Sequence, residues 1–153
     1  MEVSPVMDDE VLVRITYTPE HHDGTEFLPG AVSLDDLKSR GFSVDRQCVT
    51  HRATVISRIA NQSRKAPLVR QKVLFSELIC HSIRAEKSED GSDVFIVEAT
   101  PDLEAGNMGH ASILSKQQLG PAQLRKVRTT LLKHMNRLID FEKIGFPIED
   151  NPS

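Results

Sequence analysis

Pro121-Ala122-Gln123-Leu124-Arg125-Lys126-Val127-Arg128-Thr129-Thr130-Leu131-Leu132-Lys133-His134-Met135-Asn136-Arg137-Leu138-Ile139-Asp140-Phe141-Glu142 is the stretch on which the fold turns. A proline suits the first turn of a helix, where its missing N–H costs nothing. Leu124, Val127, Leu131, Met135 and Leu138 recur at helical spacing, which predicts one amphipathic helix over 121–142. The segments before it alternate instead. His110-Ala111-Ser112-Ile113-Leu114 reads as a short strand after a loop at 101–109. Residues 83–87 and 93–100 read as two strands, joined by Ser88-Glu89-Asp90-Gly91-Ser92, whose Asp-Gly step is a hairpin signal.

Nearer the N-terminus, Val11-Leu12-Val13-Arg14-Ile15-Thr16-Tyr17 reads as the first strand, with Val11, Val13, Ile15 and Tyr17 on one face. A short helix is expected over 33–40, capped by Ser33 with Asp36 three residues on and followed by Gly41. Phe42-Ser43-Val44-Asp45-Arg46 alternates like a strand. A second main helix is expected over about 50–61, with Val55, Ile56, Ile59 and Ala60 on one face and Arg64-Lys65-Ala66-Pro67 ending it. Residues 68–75 form a further strand candidate, and 76–81 read as one or two helical turns capped by Ser76. Strands and helices without a regular βαβ rhythm define the α+β class. The expectation is a single α+β domain over 1–153: a small, mostly antiparallel or mixed sheet packed by two main helices, with frayed ends at 1–9 and 145–153.

Composition narrows the function. A chain of 153 residues has the size of one domain. Its 39% hydrophobic and 27% charged content is that of a globular protein, and no apolar run approaches membrane-spanning length. Residues 1–10 lack the basic and apolar regions of a secretory signal, and two cysteines make no disulfide framework. Both features predict a cytoplasmic protein with reduced thiols. Six Phe, one Tyr and no Trp disfavour a carbohydrate site or a stacking platform for single strands.

Charge is unevenly placed. Residues 1–30 carry seven acids against one base, and 86–104 form a second acidic block. No acid occurs in 105–139, which holds Lys116, Arg125, Lys126, Arg128, Lys133 and Arg137. On the expected helix Lys126, Lys133 and Arg137 share a solvent face, a surface for an acidic protein partner. Three such charges neutralise only about three phosphates, so nucleic-acid binding is expected to be weak at most. Arg128 falls inside the apolar stripe. There it either snorkels, pairs with a carboxylate such as Glu98, or binds an anion beside His110.

The remaining candidates are histidines and cysteines. His21-His22-Asp23 lies on a loop and would need help from His110 or His51 to hold a metal, so no metal or other cofactor is expected. Cys48 and His51 meet only at a helix start, and Cys80-His81 is a poor dyad because adjacent side chains diverge. Phosphate-binding, dinucleotide and serine-hydrolase motifs are absent from the sequence. In Gly109-His110-Ala111-Ser112-Ile113 the glycine suits a close backbone approach beside a histidine.

The order His22-x-Gly24, Gly41-Phe42-Ser43-Val44-Asp45-Arg46, Pro101-Asp102 and Gly109-His110-Ala111-Ser112-Ile113 resembles a group of small uncharacterised bacterial proteins. That group shares a Gly-Phe-Ser-Val strand and a His-Ala-x-Ile strand before a C-terminal helix, and the resemblance covers about 14–138. It implies a compact bacterial cytoplasmic domain and supplies no catalytic residues. The segment around Arg64-Lys65 and the basic final helix stand apart from it. The leading expectation is a non-enzymatic interaction or accessory domain. The alternatives are a small enzyme or anionic-ligand binder using His22, His110 and Arg128, and a weak nucleic-acid-binding module built on the basic helix.

Overall fold

The computed structural model describes residues 4–65 and 70–148. Strands β1 (Val11–Pro19), β2 (Phe42–Arg46), β3 (Arg70–Ile79), β4 (Phe95–Ala99) and β5 (His110–Ser115) form one antiparallel sheet in the order β3-β1-β2-β5-β4. Helices α1 (Arg52–Lys65), α2 (Cys80–Arg84) and α3 (Pro121–Met135) complete a single α+β domain. Among the described residues no helix is long and apolar enough to cross a membrane.

Period-two alternation in the strands feeds two cores, one on each face of the sheet. Val13, Ile15 and Tyr17 of β1 pack with Phe75 of β3, Val55 of α1, and Ile144 and Phe146 of the C-terminal segment. Leu12, Phe42, Val44, Ala111 and Ile113 point the other way. They meet Cys80 and Ile83 of α2 and Leu124, Val127, Leu131 and Met135 of α3. The groove described below therefore shares its face with α1, and α3 lies on the other.

Several elements depart from the sequence reading, each because a tertiary contact overrides a local signal. The final helix stops at Met135, and Asn136 turns the chain at φ 58. Ile139 then pairs with Phe75 on the outer edge of β3, through backbone bonds of 2.7 and 2.8 Å. Ser76 starts no helix. It stays in β3 opposite Arg14, and its hydroxyl donates to the Met135 carbonyl at 2.7 Å, satisfying the last turn of α3. Residues 83–87 are not a strand, because Cys80 and Ile83 bury one face of α2. The Asp90-Gly91 turn is kept, closed by a single Lys87–Asp93 bridge.

Helix α1 begins at Arg52 and runs to Lys65, four residues past the expected end. The Ala66-Pro67 stop and a strand start at Leu68 lie outside the described residues. The π-helical turn Asp36–Arg40 replaces the expected short α-helix; Ser33 Oγ accepts the Asp36 N–H at 3.4 Å. Gly41 follows at φ 91, where a side chain would be strained and would also press on Ser112.

The described residues at both ends pack onto the domain. Val6 is buried, and the Ser4 and Pro5 carbonyls accept from Arg46. At the other end Ile144 and Phe146 are buried, and the Pro147 carbonyl accepts the Arg52 N–H at 2.9 Å, one of the donors that a helix start leaves open.

Candidate functional site

β1 and β2 pair only through Leu12↔Arg46 and Val13↔Asp45. Beyond that point β1 follows β3 and β2 follows β5, so the two central strands part. Between them, under α1 and the 102–107 loop, opens a groove of about 960 Å³. Antiparallel ladders alternate, and the Gln47 N–H to Val11 carbonyl bond fixes the phase. Ile15 and Tyr17 therefore turn their backbone groups toward β2, and Ser43 turns its own toward β1. Part of this demand is met within the fold: Arg14 Nη1 donates to the Ser43 carbonyl at 2.9 Å, and His21 closes both Tyr17 groups, its Nδ1 accepting the Tyr17 N–H at 3.0 Å and its backbone N–H donating to the Tyr17 carbonyl at 2.8 Å.

The floor is polar. Asp45, only 3% exposed, takes Arg58 Nη1 at 2.5 Å and Asn107 Nδ2 at 3.1 Å. Arg58 Nη2 and Asn107 Oδ1 are buried without a hydrogen-bond partner among the described residues. His110 stands directly across from Asp45. Because Arg46 N–H bonds the Gly109 carbonyl, the Asp45/His110 pair is a non-hydrogen-bonded one, where facing side chains approach most closely.

His110 Nδ1 lies 2.8 Å from the Thr100 carbonyl, which can only accept. The proton is thus on Nδ1, and in the neutral ring Nε2 keeps its lone pair. Thr100 Oγ1 links the same nitrogen to Ser112 Oγ, at 2.9 and 2.8 Å, and fixes the ring further. Nε2 has no hydrogen-bond partner among the described residues, and His110 lines the groove. Gly109 lets this turn form: a Cβ there would overlap Thr50 Oγ1.

The three expected ligand residues do not converge. His110 is in the groove, but His22 is fully buried inside its loop. Its Nε2–H donates to the Lys72 carbonyl at 3.2 Å and its Nδ1 accepts the Gly24 N–H at 3.1 Å. The adjacent His21 is the one that reaches the groove. Arg128 is half-buried on α3, across the sheet from His110, with no carboxylate or hydrogen-bond partner among the described residues. Lys126 and Lys133 are exposed on α3; Arg137 follows the helix end and does not share its face. Among the described residues no three His, Cys, Asp or Glu side chains gather as a metal site would require.

The Cys48 thiol donates to Glu10 Oε1 at 3.3 Å rather than serving His51. Cys48 is exposed, yet partial desolvation of its sulfur and the bond to Glu10 push the thiol above its ordinary value; burial does the same for Cys80. Both cysteines are free thiols. Titration of freshly purified protein with a thiol reagent should find two thiols after unfolding, and the buried Cys80 should react slowly in the native state while the exposed Cys48 remains reachable. A fast-reacting native Cys80 would contradict this.

No protein-family model matches the chain, and neither the curated proteins nor the solved structures give a match.

Proposed function

We propose that this chain is an interaction domain that binds an extended polypeptide segment in the groove where β1 and β2 part. The observation that carries the reading is the parting of two strand edges, at Ile15 and at Ser43, beside an imidazole whose Nε2 has no hydrogen-bond partner among the described residues. Strand edges recognise an extended chain through its backbone, and neighbouring side chains select among sequences. An accepting Nε2 suits an N–H or O–H on the bound segment. Arg14 and His21 hold edge groups in the free state, as charged and polar side chains do on guarded edges. The reading as an anionic-ligand site has lost His22 and Arg128, two of its three residues.

Selection from a displayed random-peptide library tests this. Selected peptides should bind His110→Ala about 5–10-fold more weakly, the size of one hydrogen bond. Their amide shift perturbations should map to Arg14, Ser43 and His110. Peptides that map to another surface, or a library that yields no binder, would remove the proposal.

A further inference from the structure

We infer that the solvent face of α3 is a second docking surface, fitted to an acidic polypeptide segment. At about 100° per residue, Arg125, Lys126 and Lys133 gather on the side of α3 away from Leu124, Val127, Leu131 and Met135. All three are exposed, and Arg128 flanks them. Among the described residues, none of these four cations meets a carboxylate. Elsewhere Arg46, Arg52, Arg58, Arg84, Lys87 and Lys116 are each ion-paired.

The helix also gives up local stabilisation to carry this face. Its first turn holds no acid and no side chain caps it. Its cations therefore go unanswered by the carboxylates that favour a helix start and that pair at i+3 or i+4. Local rules broken on one exposed face, while the apolar face is regular, point to use of that face.

The occupant is a single acidic chain. Lys126 and Lys133 are seven residues apart, about 10 Å along the axis. That matches carboxylates two helical turns apart, or three residues apart in an extended segment. Three cations on one helix neutralise only about three phosphates, too few to hold a nucleic-acid duplex. The groove opens on the opposite side of the sheet, so this inference stands apart from the peptide-groove reading.

The test uses the full chain, a labelled Glu-Gly-Gly repeat peptide and a labelled DNA duplex, read by fluorescence anisotropy at low and physiological salt. The peptide should bind with an affinity that falls as salt rises. The triple change Arg125→Glu/Lys126→Glu/Lys133→Glu should weaken it by at least about tenfold, with the melting temperature unchanged or higher. The control Lys72→Glu/Lys143→Glu, which alters exposed lysines elsewhere, should bind as wild type does. Equal weakening by the control would reduce the effect to net charge and overturn the inference. So would an unaffected triple variant, absence of peptide binding at low salt, or tighter binding of the duplex.

Discussion

Arg46→Met should destabilise the protein by about 3–5 kcal/mol, the cost of leaving one member of a buried ion pair alone. Arg46 and Glu10 are 3% and 8% exposed. The guanidinium forks onto the carboxylate, Nε to Oε1 and Nη2 to Oε2, both at 2.8 Å. It also donates to the Ser4 carbonyl at 2.8 Å and the Pro5 carbonyl at 3.2 Å. One side chain of β2 therefore fastens residues 4–10 to the sheet, and Val6 is buried beneath them. Methionine keeps the stem's packing but leaves the Glu10 carboxylate in a dry site with, among the described residues, only the Met7 N–H and the Cys48 thiol as donors.

The double change Arg46→Met/Glu10→Leu should recover much of the loss, because an apolar pair of similar volume avoids the desolvation of both charges. Acid separates these proteins further. Burial alone would raise the Glu10 carboxyl, but the Arg46 fork, with the Met7 and Cys48 donors, outweighs it and holds the group below 4.5. A carboxyl lowered in the folded state stabilises the fold above its unfolded value, and that contribution is lost as pH falls through the folded one. Wild type should therefore weaken below about pH 4.5. In Arg46→Met, burial dominates and Glu10 is protonated more readily, so the gap from wild type should narrow toward low pH. Urea denaturation across pH 3–7 reads both effects; a single variant within about 1 kcal/mol of wild type at pH 7 would show that the pair fastens nothing.

The parts of the fold legible in the sequence are those carried by local periodicity. The β1 and β2 alternations, the start of α3 and Gly41 after a short helical turn all stand where their patterns put them. The errors share a cause: a partner far along the chain. Ile139 leaves the helical pattern because Phe75 offers a strand edge, and Ser76 is held in β3 by β1 while its hydroxyl serves α3.

The candidate site was less legible for the same reason. Asp45 is visible as a polar residue in an alternating strand, but its partners Arg58 and Asn107 lie 13 and 62 residues away. Nothing in the order of residues brings them together. The glycine before His110 was readable as a close approach, and the overlap with Thr50 gives its reason. In His21-His22 the residue types are identical, so only the loop's path decides which ring enters the core and which reaches the groove.

That path makes His22 the second position of large effect. Its ring is fully buried and neutral: Nε2 donates to the Lys72 carbonyl, and Nδ1 accepts the Gly24 N–H. Burial is the main reason its proton affinity lies below the ordinary 6.5; the Lys72 carbonyl opposes the shift and the Lys72 charge adds to it. A proton on Nδ1 would point at the Gly24 N–H, two donors facing each other. The unfolded chain takes up that proton near pH 6.5 and the folded chain only at lower pH. The unfolded state therefore holds more protons in this window, and stability falls as pH falls through it, by at most about 1.4 kcal/mol per pH unit. His22→Ala should cost about 2–4 kcal/mol at pH 7.5, from the cavity and from two backbone groups left without partners. Between pH 6.5 and 5 the variant lacks this titration, so its deficit relative to wild type should shrink. The same ring holds the loop that carries His21 into the groove, and peptides selected on wild type should bind the variant more weakly even where it is fully folded. A deficit that stays constant from pH 7.5 to 5 would show that His22 takes up its proton equally in the folded and the unfolded chain, and that burial does not set its state.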